Sequence, residues 1–273
     1  EVNKMEDSIL FVGCGNMGSA IVRGLCRDNW HKKFRFLLLD QVVEKAKNLA
    51  SSLDLKWLES LDDLEAPRFV FLAVKPQDME KALLPLRNFS QSVFVSVAAG
   101  VKIQDLEKLI PQKAITRIMP NLCVEVGEGV VPVCFSALVK AEEREDLLFL
   151  FSSLGWVFEA EEKDLDLFTA LSGSGPGFIS LFIEALADGG VKIGIPWEKS
   201  LKIATQTVLG VASLLKIRGI HPAQLKNWVA SPGGTTIAGI KKLEEGAFRG
   251  LVMEGVEEAY KRAKNISGEE ERK

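Results

Sequence analysis

Ile9-Leu10-Phe11-Val12-Gly13-Cys14-Gly15-Asn16-Met17-Gly18 is the stretch whose reading decides the fold. Four consecutive apolar residues running into glycine read as a strand buried on both faces. The residues after it, over 17–28, place Ala20, Ile21, Gly24 and Leu25 on one helical face. Glycines at 13, 15 and 18 allow a tight strand-to-helix turn, a close backbone approach by a ligand and close packing of helix on strand. The N–H groups at the helix start favour a negative charge there. A Gly-x-Gly-x-x-Gly match alone is weak. Here a strand precedes it, a helix follows, and a second apolar strand over 34–40 ends in Asp40, which is the arrangement that binds a dinucleotide pyrophosphate.

The same rhythm continues outward. Apolar runs over 69–74, 92–97 and 114–119 read as strands, and stretches over 43–53, 79–86 and 103–109 read as helices. This alternation predicts a mostly parallel sheet covered on both faces. After residue 161 strand-like runs vanish, and Ala/Leu/Ile-rich segments over 165–171, 177–193, 198–218, 223–229, 237–245 and 250–265 read as helices. The expected organisation is therefore an α/β Rossmann-type dinucleotide-binding domain over 1–161, followed by an all-α dimerisation and substrate domain over 162–273. The segment over 177–193 is apolar around most of its circumference, so it must be covered on most faces. About 110 residues cannot supply that cover alone, which points to packing against a second subunit.

Composition bounds the function. The chain has 273 residues, a formal charge of −3, 47% apolar residues, two histidines (His31 and His221) and four cysteines (Cys14, Cys26, Cys123 and Cys134). The charge argues against a nucleic-acid partner. There is no Cys-x-x-Cys pair and no His at ligand spacing from a Cys, so neither a metal site nor a disulfide scaffold is expected. No apolar run reaches the roughly 18 residues of a membrane-spanning helix, so no membrane partner is expected. Scattered thiols and the absence of a basic-then-apolar leader lead to the expectation of a cytoplasmic protein. The charged tail over 267–273 reads as frayed.

Candidate site residues follow from the carboxyl edge of the sheet, where open α/β sheets bind ligands. Gly13, Gly15, Asn16, Met17 and Gly18 are placed at the pyrophosphate. Asp40 is placed at the ribose, where it favours NADH over the 2′-phosphate of NADPH; it could also cap the following helix. Ala73-Val74-Lys75-Pro76, Ala98-Ala99-Gly100 and Asn121 line the same crevice, with Lys75 open to either a ligand or a solvated role and Asn121 to either the nicotinamide carboxamide or its own turn. Two further segments, Leu171 to Gly177 and Ser231-Pro232-Gly233-Gly234-Thr235-Thr236, read as short loops of glycine and hydroxyl residues before apolar helices. Backbone N–H groups of Gly233, Gly234 and Thr235 suit a carboxylate.

Taken together, Phe11 to Gly18, Ala73 to Pro76, Ser96 to Gly100, Arg117 to Asn121, Ala170 to Pro176, Glu184 to Gly190 and Ser231 to Thr236 resemble the pyrroline-5-carboxylate reductase family over nearly the whole chain. The last three of these segments are specific to that family. The resemblance implies NAD(P)H-dependent reduction of 1-pyrroline-5-carboxylate to L-proline, the last step of proline biosynthesis, by an intertwined homodimer that often assembles into a decamer. It implies that Gly233, Gly234 and Thr235, with Ser231, hold the substrate carboxylate. Thr236 would bond the ring nitrogen as the catalytic side chain, and Ser172, Ser174 and Pro176 would shape the pocket floor. Leu122-Cys123 departs from the usual Thr-Pro, and Trp228 stands where some members have asparagine. A hydroxyacid reductase of the wider superfamily would carry a Gly-x-x-x-Lys pattern in the helical domain, where this chain has Ser-Gly-Pro.

Overall fold

The computed structural model describes residues 7–62 and 64–268. The expected fraying at the tail falls partly outside them. Eight strands form one sheet: β1 (Ser8–Val12), β2 (Arg35–Leu39), β3 (Lys56–Trp57), β4 (Phe69–Leu72), β5 (Val93–Ser96), β6 (Ala114–Ile118), β7 (Gly129–Phe135) and β8 (Gly155–Glu159). Their order is β3-β2-β1-β4-β5-β6-β7-β8. The first six strands have the Rossmann order, parallel throughout, with the reversal between β1 and β4. β7 then runs antiparallel to β6, and β8 parallel to β7.

The strands read correctly from sequence are those buried on both faces. β1, β4 and β5 are buried at every position. On one face of the sheet lie α1 (Asn16–Arg27), α2 (Val43–Leu53) and α5 (Ala141–Ser152), through residues such as Ile21, Leu25, Leu49 and Phe151. On the other lie α3 (Met79–Leu83) and α4 (Ile103–Leu109), through Met79, Leu83 and Leu106. Each fully buried Leu, Ile or Phe contributes about 1.5–3 kcal/mol. Phe11 stacks on Phe71 with centroids 4.9 Å apart and meets Phe36 at 5.0 Å, which ties β1, β2 and β4 together at the core.

The remaining helices are α6 (Leu165–Phe168), α7 (Gly175–Lys192), α8 (Trp197–Arg218), α9 (Pro222–Val229), α10 (Thr235–Glu245) and α11 (Phe248–Ile266). The chain divides into two compact units, one comprising the residues up to Ser174 together with those from Ala259 onward, the other Gly175–Glu258. The helical unit by compactness thus begins at Gly175, inside the stretch expected as the helical domain, and the last turns of α11 belong with the sheet. There, Ser267 Oγ donates to Asp166 at 2.6 Å, and Ile266 lies against Gly100.

Within the helical unit α7 packs on α8 through small residues. Ser200 Oγ donates to the Ala187 carbonyl at 2.6 Å, and a side chain at Gly190 would strike Ser200. Among the described residues of this unit only Ala187, Ser200 and Ala204 are buried. Phe178, Ile179, Leu181, Leu209, Leu251 and Met253 are all exposed in the single chain. The unit has no core of its own, as its apolar circumference predicted.

Two sequence expectations are corrected. Leu171 to Gly177 is not a loop: residues 169–173 form one π-helical turn, with Ser174 N–H bonded to the Thr169 carbonyl at 2.9 Å, inside a continuous helical run. That run, Glu162–Lys192, is long and apolar enough by length and composition to cross a membrane. The expectation of no such helix therefore fails, because short apolar runs separated by small residues fuse into one helix.

At the carboxyl end of β6, Arg117 is 2% exposed and its Nη1 donates to Glu162 Oε1 at 2.9 Å; the same oxygen accepts the Ile103 N–H at 2.7 Å. Arg117 Nε and Nη2 are buried and have no partner among the described residues. Breaking a buried pair leaves an uncompensated charge. Glu162→Gln should therefore lower the unfolding free energy by about 3 kcal/mol, toward the lower end for buried pairs because Glu162 keeps some solvent contact. A urea midpoint equal to that of the parent would show that the pair carries no such weight.

Candidate functional site

The site grows out of the glycine turn. Gly13 has φ +101°, and a Cβ there would lie 2.5 Å from the Ala73 carbonyl oxygen. A Cβ at Gly18 would overlap the Gly13 carbonyl oxygen and press on Ala73. Only glycine lets the turn, the first helical turn of α1 and the end of β4 meet so closely. Gly15 has open space where its side chain would be, so its backbone can be approached from outside. Gly15 is the N-cap of α1, no side chain caps the helix, and there is no acidic residue in its first turn. The first N–H groups of α1 are thus left for an anion. Asn16 and Met17 open that helix, Asn16 exposed and Met17 half-buried.

Asp40 stands just past β2 and binds the turn. Its Oδ2 accepts the Cys14 N–H at 2.7 Å and its Oδ1 accepts the Val42 N–H at 2.8 Å. Asp40 does not cap α2, whose N-cap is Val42 without a side-chain bond; its carboxylate holds the approach to that helix and lines a cavity. That cavity, of about 700 Å³, is lined by Gly13, Gly15, Asp40, Ala73, Val74 and Lys75, among others. A second cavity of about 420 Å³ lies beside the start of α1, with Cys14, Asn16, Ser19 and Leu122 on its wall. Lys45 borders both. The first cavity lies at the carboxyl ends of β1, β2 and β4, where the strand order reverses. Its size, the open backbone at Gly15 and the uncapped helix start fit a dinucleotide.

The structure therefore brings together Gly13, Gly15, Asp40, Ala73, Val74 and Lys75. Pro76 opens a short 3-10 turn (Pro76–Asp78), with Lys75 as its exposed N-cap. Ala98 is buried, and Gly100 lies against Ile266. Asn121 is 6% exposed and fully engaged: Oδ1 accepts the Val130 N–H at 3.3 Å, and Nδ2 donates to the Ser172 carbonyl at 3.0 Å. Asn121 therefore does not stabilise its own turn, as one reading of the sequence had it: both partners lie on other segments, Val130 at the start of β7 and Ser172 beyond it. Ser172 and Ser174 are half-buried in the π turn, and their hydroxyls return to the Phe168 and Thr169 carbonyls.

In the helical unit, Ser231 to Gly234 form a turn closed by Gly234 N–H onto the Ser231 carbonyl at 3.0 Å, with Gly233 at φ +68°. Gly234 is the N-cap of α10, with no side-chain cap and no acidic residue in the first turn. Thr235 and Thr236 are its first two residues. Thr169 and Thr207 turn their hydroxyls back to carbonyls four residues earlier. Thr235 and Thr236 make no such bond among the described residues, so both remain available to a ligand. Pro176 lies in the first turn of α7. Among the described residues no group of three His, Cys, Asp or Glu is placed to hold a metal ion.

Sequence reasoning missed Arg117 and Glu162. The available signal was an arginine inside an otherwise uncharged strand, Ala114 to Met119.

This geometry defines a Rossmann-type dinucleotide-binding protein. Residues 8–100 match the family model described as NADP oxidoreductase coenzyme F420-dependent, and residues 162–266 match that of pyrroline-5-carboxylate reductase dimerisation. The chain is 39% identical over 260 residues to pyrroline-5-carboxylate reductase of Pisum sativum, covering 94% of this chain and 95% of that protein. It is 41% identical over 262 residues to that of Aquifex aeolicus, covering 93% and 96%. Among solved structures, Plasmodium falciparum pyrroline carboxylate reductase with NADP bound superimposes with a TM-score of 0.86 at 31% identity, covering 96% of this chain and 99% of that one. The reductase from Streptococcus pyogenes gives 0.83 at 38% identity, covering 94% and 98%. The chain belongs to the pyrroline-5-carboxylate reductase family. It is an oxidoreductase that uses a nicotinamide dinucleotide.

Burial, and next the Asp40 charge, push the Cys14 thiol from 9.0 up to about 12. Three units correspond to about a thousandfold less thiolate at neutral pH. Iodoacetamide at pH 8 should leave Cys14 unmodified in the folded protein, as read by peptide mass mapping, and label it in urea. Rapid labelling of folded protein would overturn this.

Proposed function

We propose that the chain reduces 1-pyrroline-5-carboxylate to L-proline, the last step of proline biosynthesis. The observation that carries this reading is the Ser231–Thr236 turn running into an uncapped α10, in a chain about 40% identical to curated reductases over nearly its full length. The cofactor supplies hydride from C4 of the reduced nicotinamide. Hydride adds to the imine carbon, the C=N pair passes to nitrogen, and a proton at nitrogen completes the amine.

The protein's share is alignment. Gly13, Gly15, Asn16, Met17 and Gly18 hold the pyrophosphate at the start of α1. Ala73, Val74, Lys75 and Pro76 lie along the dinucleotide, with Ala98, Ala99 and Gly100 behind them. The N–H groups of Gly233, Gly234 and Thr235 take the substrate carboxylate, with Ser231 shaping the turn. The Thr236 hydroxyl, without a partner among the described residues, holds the ring nitrogen. Ser172, Ser174 and Pro176 form the floor. Holding the imine carbon at about 3–3.5 Å from the hydride donor supplies most of the rate, which accounts for a site without a histidine–carboxylate couple.

Asp40 supports NADH as the preferred donor. Two backbone N–H groups pin its carboxylate, so its charge cannot swing away from a 2′-phosphate. The bare apolar faces of the helical unit, together with the dimerisation match, support a homodimer, with a decamer as its larger assembly. The covering of these faces by a second copy also accounts for the apolar character of Glu162–Lys192 without a membrane. Free cysteines support a cytoplasmic setting.

An absorbance assay with 1-pyrroline-5-carboxylate, run with NADH and NADPH in parallel, tests the reading. Oxidation of NADH should exceed that of NADPH, and oxidation of neither would remove the proposal. Thr236→Val should cut kcat about 100-fold, within the range for a positioned polar group, with an unchanged melting temperature and dinucleotide affinity. Light scattering of the purified protein should give a dimer or a multiple of it, and a monomer would overturn the homodimer.

A further inference from the structure

We infer that Asn121 is a positioning residue that holds open the π turn carrying Ser172 and Ser174, and so sets the floor of the substrate pocket from the cofactor side. This rests on the proposed reaction for its kinetic readout and on geometry for its substance.

Pro176 changes the hydrogen bonding of the turn before it. In an α-helix the N–H of residue 176 would close onto the carbonyl of residue 172. Proline has no N–H, so the Ser172 carbonyl loses its α-helical donor. A carbonyl so freed needs another partner or water. The partner is the Asn121 side chain: Nδ2 donates to the Ser172 carbonyl at 3.0 Å. The orientation of the amide is set from its other end, because Oδ1 accepts the Val130 N–H at 3.3 Å from the start of β7. Asn121 is 6% exposed, so water does not compete freely for either contact.

The turn is wound to suit this bond. Ser174 N–H reaches back five residues to the Thr169 carbonyl, and the Ser172 and Ser174 hydroxyls are spent on the Phe168 and Thr169 carbonyls. A π turn is commonly retained at functional sites and costs helix regularity. Here its open carbonyl is satisfied by a residue three positions past β6, a strand whose carboxyl end lies on the ligand edge of the sheet. The serines and the crevice wall are therefore tied by a single amide. A carboxylate at 121 could still accept from Val130 N–H but would face the Ser172 carbonyl with no donor.

The test uses the full-length enzyme and the variants Asn121→Ala, Asn121→Asp, Pro176→Ala and Asn121→Ala/Pro176→Ala. Asn121→Ala and Asn121→Asp should lower kcat/KM for 1-pyrroline-5-carboxylate about 10- to 100-fold, the effect of a small misplacement. The dissociation constant for NADH, read by fluorescence titration without substrate, should move less than about twofold. Pro176→Ala restores the helical N–H to Ser172, so Asn121→Ala should cost less in that background than alone. Hydrogen exchange of the peptide spanning 168–180 should quicken in Asn121→Ala and slow again in the double variant.

An NADH affinity that falls as far as kcat/KM would place Asn121 on the cofactor and overturn the inference. Additive effects of the two substitutions, or unchanged exchange over 168–180, would overturn it also. If the parent enzyme fails to turn over this substrate, the proposed reaction fails. The exchange measurement and the coupling between positions 121 and 176 in that measurement still decide the positioning role.

Discussion

Three backbone segments meet at the switch point of the sheet closer than any side chain allows. Gly13 lies under the Ala73 carbonyl, Gly18 lies on the Gly13 carbonyl, and Ala73 N–H is bonded to Val12 at 2.8 Å. A single methyl at 13 or 18 would separate the end of β4 from the start of α1. The aim of the α1 N-terminus, the width of the cavity beneath it and the reach of Asp40 to Cys14 all follow from that approach. The close approach that shapes the cavity is thus made by backbone, and uncapped helical N–H groups at α1 add to a lining that also holds Asp40, Lys45 and Lys75.

What could be read from sequence was what hydrophobic burial alone decides. β1, β2, β4, β5 and β6 are near-continuous apolar runs because helices cover both faces, and the glycine turn declared itself by spacing. β7 and β8 escaped notice for physical reasons. β7 contains Pro132, runs against its neighbour and is only half-buried in places, while β8 is an edge strand with Trp156 facing outward. β3 has two residues and no pattern to read. The glycine and proline of Ser172 to Gly177 are breakers in local terms, so the segment read as a loop. It is helical because Asn121, fifty residues away, satisfies the carbonyl that proline frees, and no local propensity carries that information.

The buried and half-buried polar side chains Asp40, Asn121 and Glu162 follow one rule on the sheet's carboxyl edge. Asp40 binds two backbone N–H groups, Asn121 one N–H and one carbonyl, and Glu162 one N–H besides Arg117. Each fastens a loop to a neighbouring segment by bonding main chain. Such bonds are each worth about 1 kcal/mol net but cost more to leave unmade. They fix the loops that follow the strands at this edge of the sheet.

That division of labour suits the chemistry of an imine. A protonated C=N already accepts hydride, so a strong general base would add little, whereas misalignment by an ångström would be costly. Polar side chains at this edge of the sheet hold backbone in place, and α1 and α10 each begin without a side-chain cap. Histidine has no part in this: His31 sits beside the short turn before β2, and His221 caps α9 by accepting the Ala223 N–H. The poverty in imidazole follows from a reaction that needs position and fixed dipoles.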